Sequence, residues 1–89
     1  VLMNTIDIND DYLRIFYSKI SQNIIKIRKS KKISQLDLAT SIGHTSATFF
    51  GKAELLAENK HFNLEHLYKI AIALNVDIKE FFEGIETRY

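Results

Sequence analysis

Three histidines and several serines and acids are the side chains that could ligate a metal or perform nucleophilic catalysis. His44, His61 and His66 fall in a turn, a loop and a helix without the spacing of a ligand set, and the sequence has no Cys to complete one. No pattern places a nucleophile beside a general base, and no glycine-rich phosphate loop occurs. We therefore expect surface histidines, no metal or cofactor, and no enzymatic activity.

The charged residues are divided unevenly along the chain. Between Tyr12 and Leu36 there are seven basic residues and no acid, whereas from Ala53 to Tyr89 there are seven acids and four basic residues. This asymmetry fits a face for a polyanion, and it fits a solvated basic helix equally well. The net charge of +1 does not separate the two interpretations.

Composition limits the class of protein. A chain of 89 residues with 46% hydrophobic and 26% charged residues is expected to form one domain around one modest core. The absence of Cys fits a reducing compartment, so we expect a cytoplasmic protein. No apolar run approaches the roughly 18 residues that cross a bilayer, and the acidic stretch with Asp7, Asp10 and Asp11 is unlike a signal peptide, so neither membrane insertion nor secretion is expected.

The elements that must position any site are helices, because apolar residues recur at intervals of three and four and the sequence has no Pro. We predict an all-α fold with a polar loop from Glu58 to Phe62. Five helices are predicted: Asp11 to Ser30 with the stripe Leu13, Phe16, Ile20, Ile24 and Ile27; Ser34 to Gly43; 46–57, capped by Thr45 or Ser46; Leu64 to Leu74, capped by Asn63; and a short helix opened by Asp77 and closed by Gly84.

The second and third predicted helices have the form of a helix-turn-helix unit, residues 34–54. Ala39 is the small residue at the crossing of the two helices, and Gly43 permits the sharp reversal after the first. Such a turn aims the start of the third helix outward, and the major groove of B-DNA is wide enough to admit a helix.

The sequence resembles the phage-repressor-like (Cro/XRE) helix-turn-helix regulators over roughly residues 20–82. The matching residues are Ile27-Arg28, Ile33-Ser34-Gln35-Leu36, Leu38-Ala39, Ile42-Gly43, Ala53-Glu54, Leu64, Leu67, Ile70-Ala71 and Leu74-Asn75-Val76. The resemblance implies a compact five-helix, lambda-repressor-like DNA-binding domain. We expect the domain at 12–84, after an N-terminal extension at 1–11 that is a candidate for disorder, and before a C-terminal tail at 85–89.

One extra residue separates Gly43 from Glu54 compared with the usual family spacing. If it lies in the turn, Phe50 and Ala53 face inward; if it lies later, Phe49 and Lys52 do. Burying Lys is far more costly than burying Ala, so we place the insertion in the turn. Phe49 is then expected to be partly buried against the fourth helix or a subunit partner, and Gly51 is a departure that weakens the third helix.

The resemblance also implies roles for individual residues. Residues matching Ala47, Thr48 and Lys52 meet base edges, and those matching Gln35, Ser46, Asn59 and Lys60 hold phosphates. Arg28 and Glu54 match an ion pair between the first helix and the end of the third. For Thr48 and Lys52 the alternative is an exposed helix face without a DNA contact.

The implied partner is double-stranded DNA, bound by a homodimer at two half-sites. Two sets of residues could form the dimer surface or bury each other within one core: Tyr12, Phe16 and Tyr17, and Phe82, Ile85 and Tyr89. Three functions remain open. They are an autonomous transcription regulator, either a repressor or an activator; a DNA-binding antitoxin with a small protein partner; and a protein-interaction module that has lost DNA binding.

Overall fold

A computed structural model describes residues 10–87 and shows an all-α fold. The α-helices are α1 (Asp10–Ser30), α2 (Gln35–Ser41), α3 (Thr48–Leu55) and α4 (Leu64–Leu74), and two short 3₁₀ helices cover Ala57–Asn59 and Ile78–Phe82. The all-α prediction is confirmed. The described part of the chain has no helix long and apolar enough to cross a membrane.

The helix ends follow from local hydrogen bonding. The first turn of α1 carries Asp10 and Asp11, which complement the positive end of the helix dipole. Ser34 caps α2 by accepting a 3.0 Å hydrogen bond from the backbone N of Asp37, and Asn63 caps α4 by accepting a 2.8 Å bond from the backbone N of His66. Both caps agree with the sequence prediction.

The core lies where the four α-helices and the C-terminal 3₁₀ helix meet. Helix α1 packs against α3 and the 3₁₀ helix Ile78–Phe82, and α2 packs against α3 and α4. The largest fully buried side chains are Phe50, Phe81, Ile24, Leu38, Ile70, Leu74 and Ser21. Ser21 donates a 3.0 Å hydrogen bond to the backbone O of Ala53, which ties α1 to α3 through a buried polar contact.

The fifth predicted helix is wrong in type. Residues Ile78–Phe82 form a 3₁₀ helix rather than an α-helix. The predicted capping box is present, because Asp77 accepts from the backbone N of Lys79 and Glu80 accepts from the backbone N of Asp77. The segment is a single turn closed by i to i+3 bonding, which leaves too few residues for an α-helical ladder.

Two predicted apolar stripes are only partly buried. In α1, Ile20 and Ile24 are buried, but Leu13 and Phe16 are exposed because the first turns of the helix face residues 84–87 across an open groove. In α4, Leu64 is 78% exposed although the rest of its predicted stripe is buried. Leu64 is the first residue of the helix, one turn before the buried face begins.

The predicted polar loop Glu58 to Phe62 is also partly wrong. It opens with the end of a 3₁₀ turn, and Phe62 is a core residue whose ring lies 4.9 Å from that of Phe50. The predicted N-terminal extension lies outside the described residues except for Asp10 and Asp11, which belong to α1. Of the predicted tail, Ile85 packs on the core, and Tyr89 lies outside the described residues.

Candidate nucleic-acid interface

The turn between α2 and α3 begins with a complete Schellman motif at Gly43. The backbone N of His44 donates to the O of Ala39 at 3.0 Å, and the N of Gly43 donates to the O of Thr40 at 3.1 Å. Gly43 has φ +96°, a left-handed conformation that side-chain-bearing residues rarely adopt. Ala39 is fully buried at the crossing, so its small side chain lets α3 approach closely.

Helix α3 is anchored by a buried polar network centred on Glu54. Arg28 donates from Nε to Glu54 Oε2 at 2.8 Å and from an Nη atom to Oε1 at 3.1 Å, which is a bidentate pair. Its other Nη donates to the backbone O of Ile33 at 2.9 Å, and Gln35 Nε2 donates to Glu54 Oε1 at 2.7 Å. The network joins α1, the start of α2 and the end of α3, which fixes the orientation of α3.

The two faces of α3 differ as the spacing argument predicted. Phe50 and Ala53 are fully buried, whereas the Lys52 side chain is 37% exposed. The inward positions are thus those expected for an extra residue in the turn, since the alternative would have buried Phe49 and Lys52. Phe49 is half-buried, and its ring lies 4.9 Å from that of His66 in α4, in agreement with the predicted partial burial.

The predicted bounds of the third helix, 46–57, are too wide. Ala47 is the N-cap residue and has no side-chain cap, so neither Thr45 nor Ser46 occupies that position. Residues 44–47 belong to the turn rather than to the helix. At the other end Leu56 is left-handed with φ 55°, and the chain reverses there so that Phe62 can return to the core.

The residues expected at base edges lie together at the outward side of α3. Thr48 is exposed at the first position of the helix, Ala47 is half-buried before it, and Lys52 follows one turn later. Ser46 is exposed and its Oγ accepts a 3.4 Å hydrogen bond from the backbone N of Thr48. The start of α3 is therefore open on the side that carries these side chains.

The residues expected to hold phosphates differ in their burial and in their contacts. Gln35 is half-buried and engaged with Glu54, so its amide is part of the anchoring network as well as the start of α2. Asn59 and Lys60 are exposed in the segment that follows α3, and Asn59 is left-handed with φ 57°. Among the described residues, no group of three or more His, Cys, Asp or Glu side chains could hold a metal ion.

A comparison with protein families matches residues 23–86 to the Cro/C1-type helix-turn-helix DNA-binding domain. The chain belongs to this family. The match covers α2, α3 and α4 entirely, together with the end of α1 that carries Arg28. Membership supports a DNA-binding transcription regulator and agrees with the family expected from the sequence. A comparison with curated proteins finds no significant match.

Two features of this Cro/C1-type domain have no signal in its sequence. Lys52 forms an ion pair with Glu58, which is 61% exposed and lies in the 3₁₀ turn after α3. A helical projection separates positions 52 and 58, and neither Leu56 nor Glu58 is a residue type that indicates the left-handed conformation bringing them together. The second feature is the cluster around His66.

The histidines, which the sequence predicted to lie on the surface, are half-buried and contact aromatic rings. The ring of His66 lies 5.7 Å from that of His44 and 4.9 Å from that of Phe49, and the ring of His61 stacks on Tyr17 at 3.9 Å. Burial, followed by the nearby His44, lowers the pKa of His66 below its ordinary value of 6.5. The cluster joins the turn, α3 and the first turn of α4 behind the outward face.

Proposed function

We propose that the chain binds double-stranded DNA in a sequence-specific manner and acts as a transcriptional repressor, with α3 in the major groove. The observation that carries the proposal is the outward face of α3, where Thr48 and Lys52 project from a helix held by the buried Arg28–Glu54 pair and Ser46 is exposed in the turn just before it. A small domain on an operator can act simply by excluding other proteins from that DNA, which is why we propose repression. This role fits a cytoplasmic location.

The proposed contacts divide into base edges and phosphates. Lys52 donates to guanine O6 and N7, Thr48 bonds a base edge or packs on a thymine methyl, and Ala47 contributes an apolar contact. Gln35, Ser46, Asn59 and Lys60 are proposed to hold the backbone. Gln35 Nε2 carries two N–H groups and directs one to Glu54, so its second can serve a phosphate beside the start of α2.

Selection of bound fragments from random duplex DNA, followed by binding of variants to the selected site, tests the proposal. Lys52→Ala should weaken binding to the selected duplex by about 1–3 kcal/mol and relax the preference at one base pair. Lys69→Ala is the matched control, because Lys69 is a similarly exposed lysine on α4. The proposal would be contradicted if the selection enriched no sequence, or if Lys52→Ala and Lys69→Ala weakened binding to the selected duplex equally.

We further propose that the protein binds DNA as a homodimer through the first turns of α1. Tyr12, Leu13, Ile15 and Phe16 are exposed there, and a groove separates this end of α1 from Gly84 and Ile85. Of the two sets considered from the sequence, Phe82 and Ile85 pack against the core, whereas Tyr12 and Phe16 are exposed. A symmetric dimer doubles the phosphate contacts and matches a palindromic operator.

The same exposed surface favours a second candidate function, the DNA-binding antitoxin of a toxin pair. In that case the first turns of α1 hold a different small protein while α3 contacts DNA. The mass of the complex purified from its native cells separates the candidates. A mass of two copies supports the homodimer, whereas a second polypeptide in fixed proportion supports the antitoxin.

A further inference from the structure

The ion pair between Lys52 and Glu58 depends on an unusual backbone path. On a continuous helix, residues six apart lie about 240° apart around the axis and about 9 Å apart along it. Here Leu56 and Glu58 both adopt left-handed conformations, with φ 55° and 54°, and they turn the chain back beside α3. The reversal brings the Glu58 carboxylate to the Lys52 ammonium.

The Glu58 carboxylate can hold Lys52 and still leave N–H donors of the Lys52 ammonium unused. The hydrogen bond from Lys52 lowers the pKa of Glu58, with a smaller contribution from Lys60, so the carboxylate is charged at neutral pH. A Lys ammonium has three N–H donors, and one carboxylate oxygen engages one of them. Two donors are left, which is the number that guanine O6 and N7 accept.

The position of Glu58 has opposite consequences for the two kinds of DNA contact. Lys52 can donate to a guanine edge while it keeps its bond to Glu58, since different N–H groups are used. A phosphate could accept from the same free N–H groups, but it is an anion, so the Glu58 carboxylate beside Lys52 would repel it, whereas a guanine edge carries no net charge. The pair therefore favours base contacts over backbone contacts.

We propose that Glu58 is a positioning residue that determines specificity by holding Lys52 for a guanine edge and away from phosphates. The inference rests on the proposed function of α3 and deepens it. Glu58 itself touches no base in this account. Its effect on base preference acts through Lys52, so the effect of changing Glu58 must disappear when Lys52 is absent.

The test compares wild type, Glu58→Gln, Lys52→Met and the double variant on the selected duplex and on an unrelated duplex, across salt concentrations. Glu65→Gln is the matched control because Glu65 forms an exposed ion pair with Lys69 on α4, away from α3. Unfolding midpoints of all variants establish that each is folded.

We expect Glu58→Gln to reduce the ratio of specific to unrelated binding by about two- to fivefold, the range of an exposed ion pair. For the Glu58→Gln variant on unrelated DNA, the slope of the logarithm of the binding constant against the logarithm of salt concentration should steepen by the equivalent of about one phosphate contact. In the protein that already carries Lys52→Met, adding Glu58→Gln should leave the ratio of specific to unrelated binding unaltered.

Two failures are distinguishable. If wild type binds no duplex preferentially, the proposed function fails and this inference fails with it. If wild type is specific but Glu58→Gln leaves the ratio unchanged, or changes it no more than Glu65→Gln does, only the role of Glu58 is overturned. An equal reduction with and without Lys52 also overturns it, because Glu58 would then act on DNA directly.

Discussion

Glu54 is the acceptor at which three elements meet, and its environment explains why a charged residue lies in the core. Both Arg28 and Glu54 are buried, with 7% and 6% of their surfaces exposed. Their bidentate pair and the bond from Gln35 satisfy the carboxylate, and no buried side-chain polar atom in residues 10–87 lacks a partner. A buried pair of this kind contributes less to stability than the loss of one partner costs.

We predict that Glu54→Ala lowers the free energy of unfolding by about 3–5 kcal/mol, since it leaves the Arg28 guanidinium buried without its counter-charge. Glu54→Gln, which keeps an acceptor but removes the charge, should lower it less and remain measurable if the alanine variant does not fold. Urea unfolding gives both values. Glu65, which forms an exposed ion pair with Lys69, is the control. If Glu54→Ala lowered the free energy of unfolding no more than Glu65→Ala does, the anchoring role would be refuted.

His66 completes the cap of α4 in a way that requires its neutral form. The backbone N of Asn63 donates a 3.0 Å hydrogen bond to His66 Nδ1, so that nitrogen must be unprotonated. Protonation would remove this acceptor and place a positive charge at the positive end of the helix dipole. The charged and titratable groups around His66 are His44, His61, Glu65 and Lys69.

Because the pKa of His66 is lowered in the folded state, the unfolded chain binds the proton more readily. Its contribution to stability is therefore complete above its ordinary pKa of 6.5, decreases as the pH falls below that value, and is lost once the pH has passed through the folded-state pKa. His66→Gln keeps a capping-box acceptor and cannot titrate. The stability of wild type relative to this variant should fall between pH 7.5 and 5 in thermal melts, and parallel curves would contradict the prediction.

Two glycines in the helix-turn-helix unit differ in backbone conformation and in the space around them. Gly43 has φ +96°, but a Cβ built there meets no atom within 4 Å. At Gly51, inside α3, the Cβ would lie 3.5 Å from Gln35 Oε1, an ordinary van der Waals contact. The first glycine is required by backbone conformation, whereas the second is not required by space or by φ.

We predict that Gly43→Ala destabilises the protein by about 1–2 kcal/mol through backbone strain alone. Gly51→Ala should stabilise it by about 1 kcal/mol, because Ala has a higher helix propensity, and raise its Tm by about 4–8 °C. Thermal unfolding of the two variants provides the measurement. A lower Tm for Gly51→Ala would show that Gln35 and α3 are packed more tightly than the structure indicates.

At the level of elements, the sequence predicted what depends on local periodicity and capping. The caps at Ser34, Asn63 and Asp77 and the reversal at Gly43 were all visible as residue types at fixed offsets. The early end of α3 was not, because Leu56 has no preference for a left-handed conformation and adopts it to let the chain return to the core. The contact of Lys52 with Glu58 depends on that same reversal, so it was equally hidden.

The molecule as a whole has a compact core at one end of α1 and an exposed apolar surface at the other. Periodicity predicted one continuous stripe in α1, yet it could not show that the packing elements cover only the later turns. Exposed apolar residues also occur on α4, where Leu64, Tyr68 and Ile72 lie four residues apart. Clusters of this kind are typical of interaction surfaces.

We predict that Ile15→Glu converts a homodimer into monomers and weakens binding to a two-half-site operator while a single half-site is bound unchanged. Ile15 is 66% exposed on α1, and Ile72, at 63% exposed on α4, provides a control of matched type and exposure. Sedimentation equilibrium measures the mass of each variant. Dissociation by Ile72→Glu and not by Ile15→Glu would move the dimer surface to α4.

The central claim is that the outward face of α3 binds duplex DNA. The most direct measurement is a titration of isotopically labelled protein with the selected duplex, followed by the backbone amide resonances. We expect the largest shifts at residues 46–52 and at the start of α2. Shifts confined to the first turns of α1 or to α4, with residues 46–52 unaffected, would contradict the account.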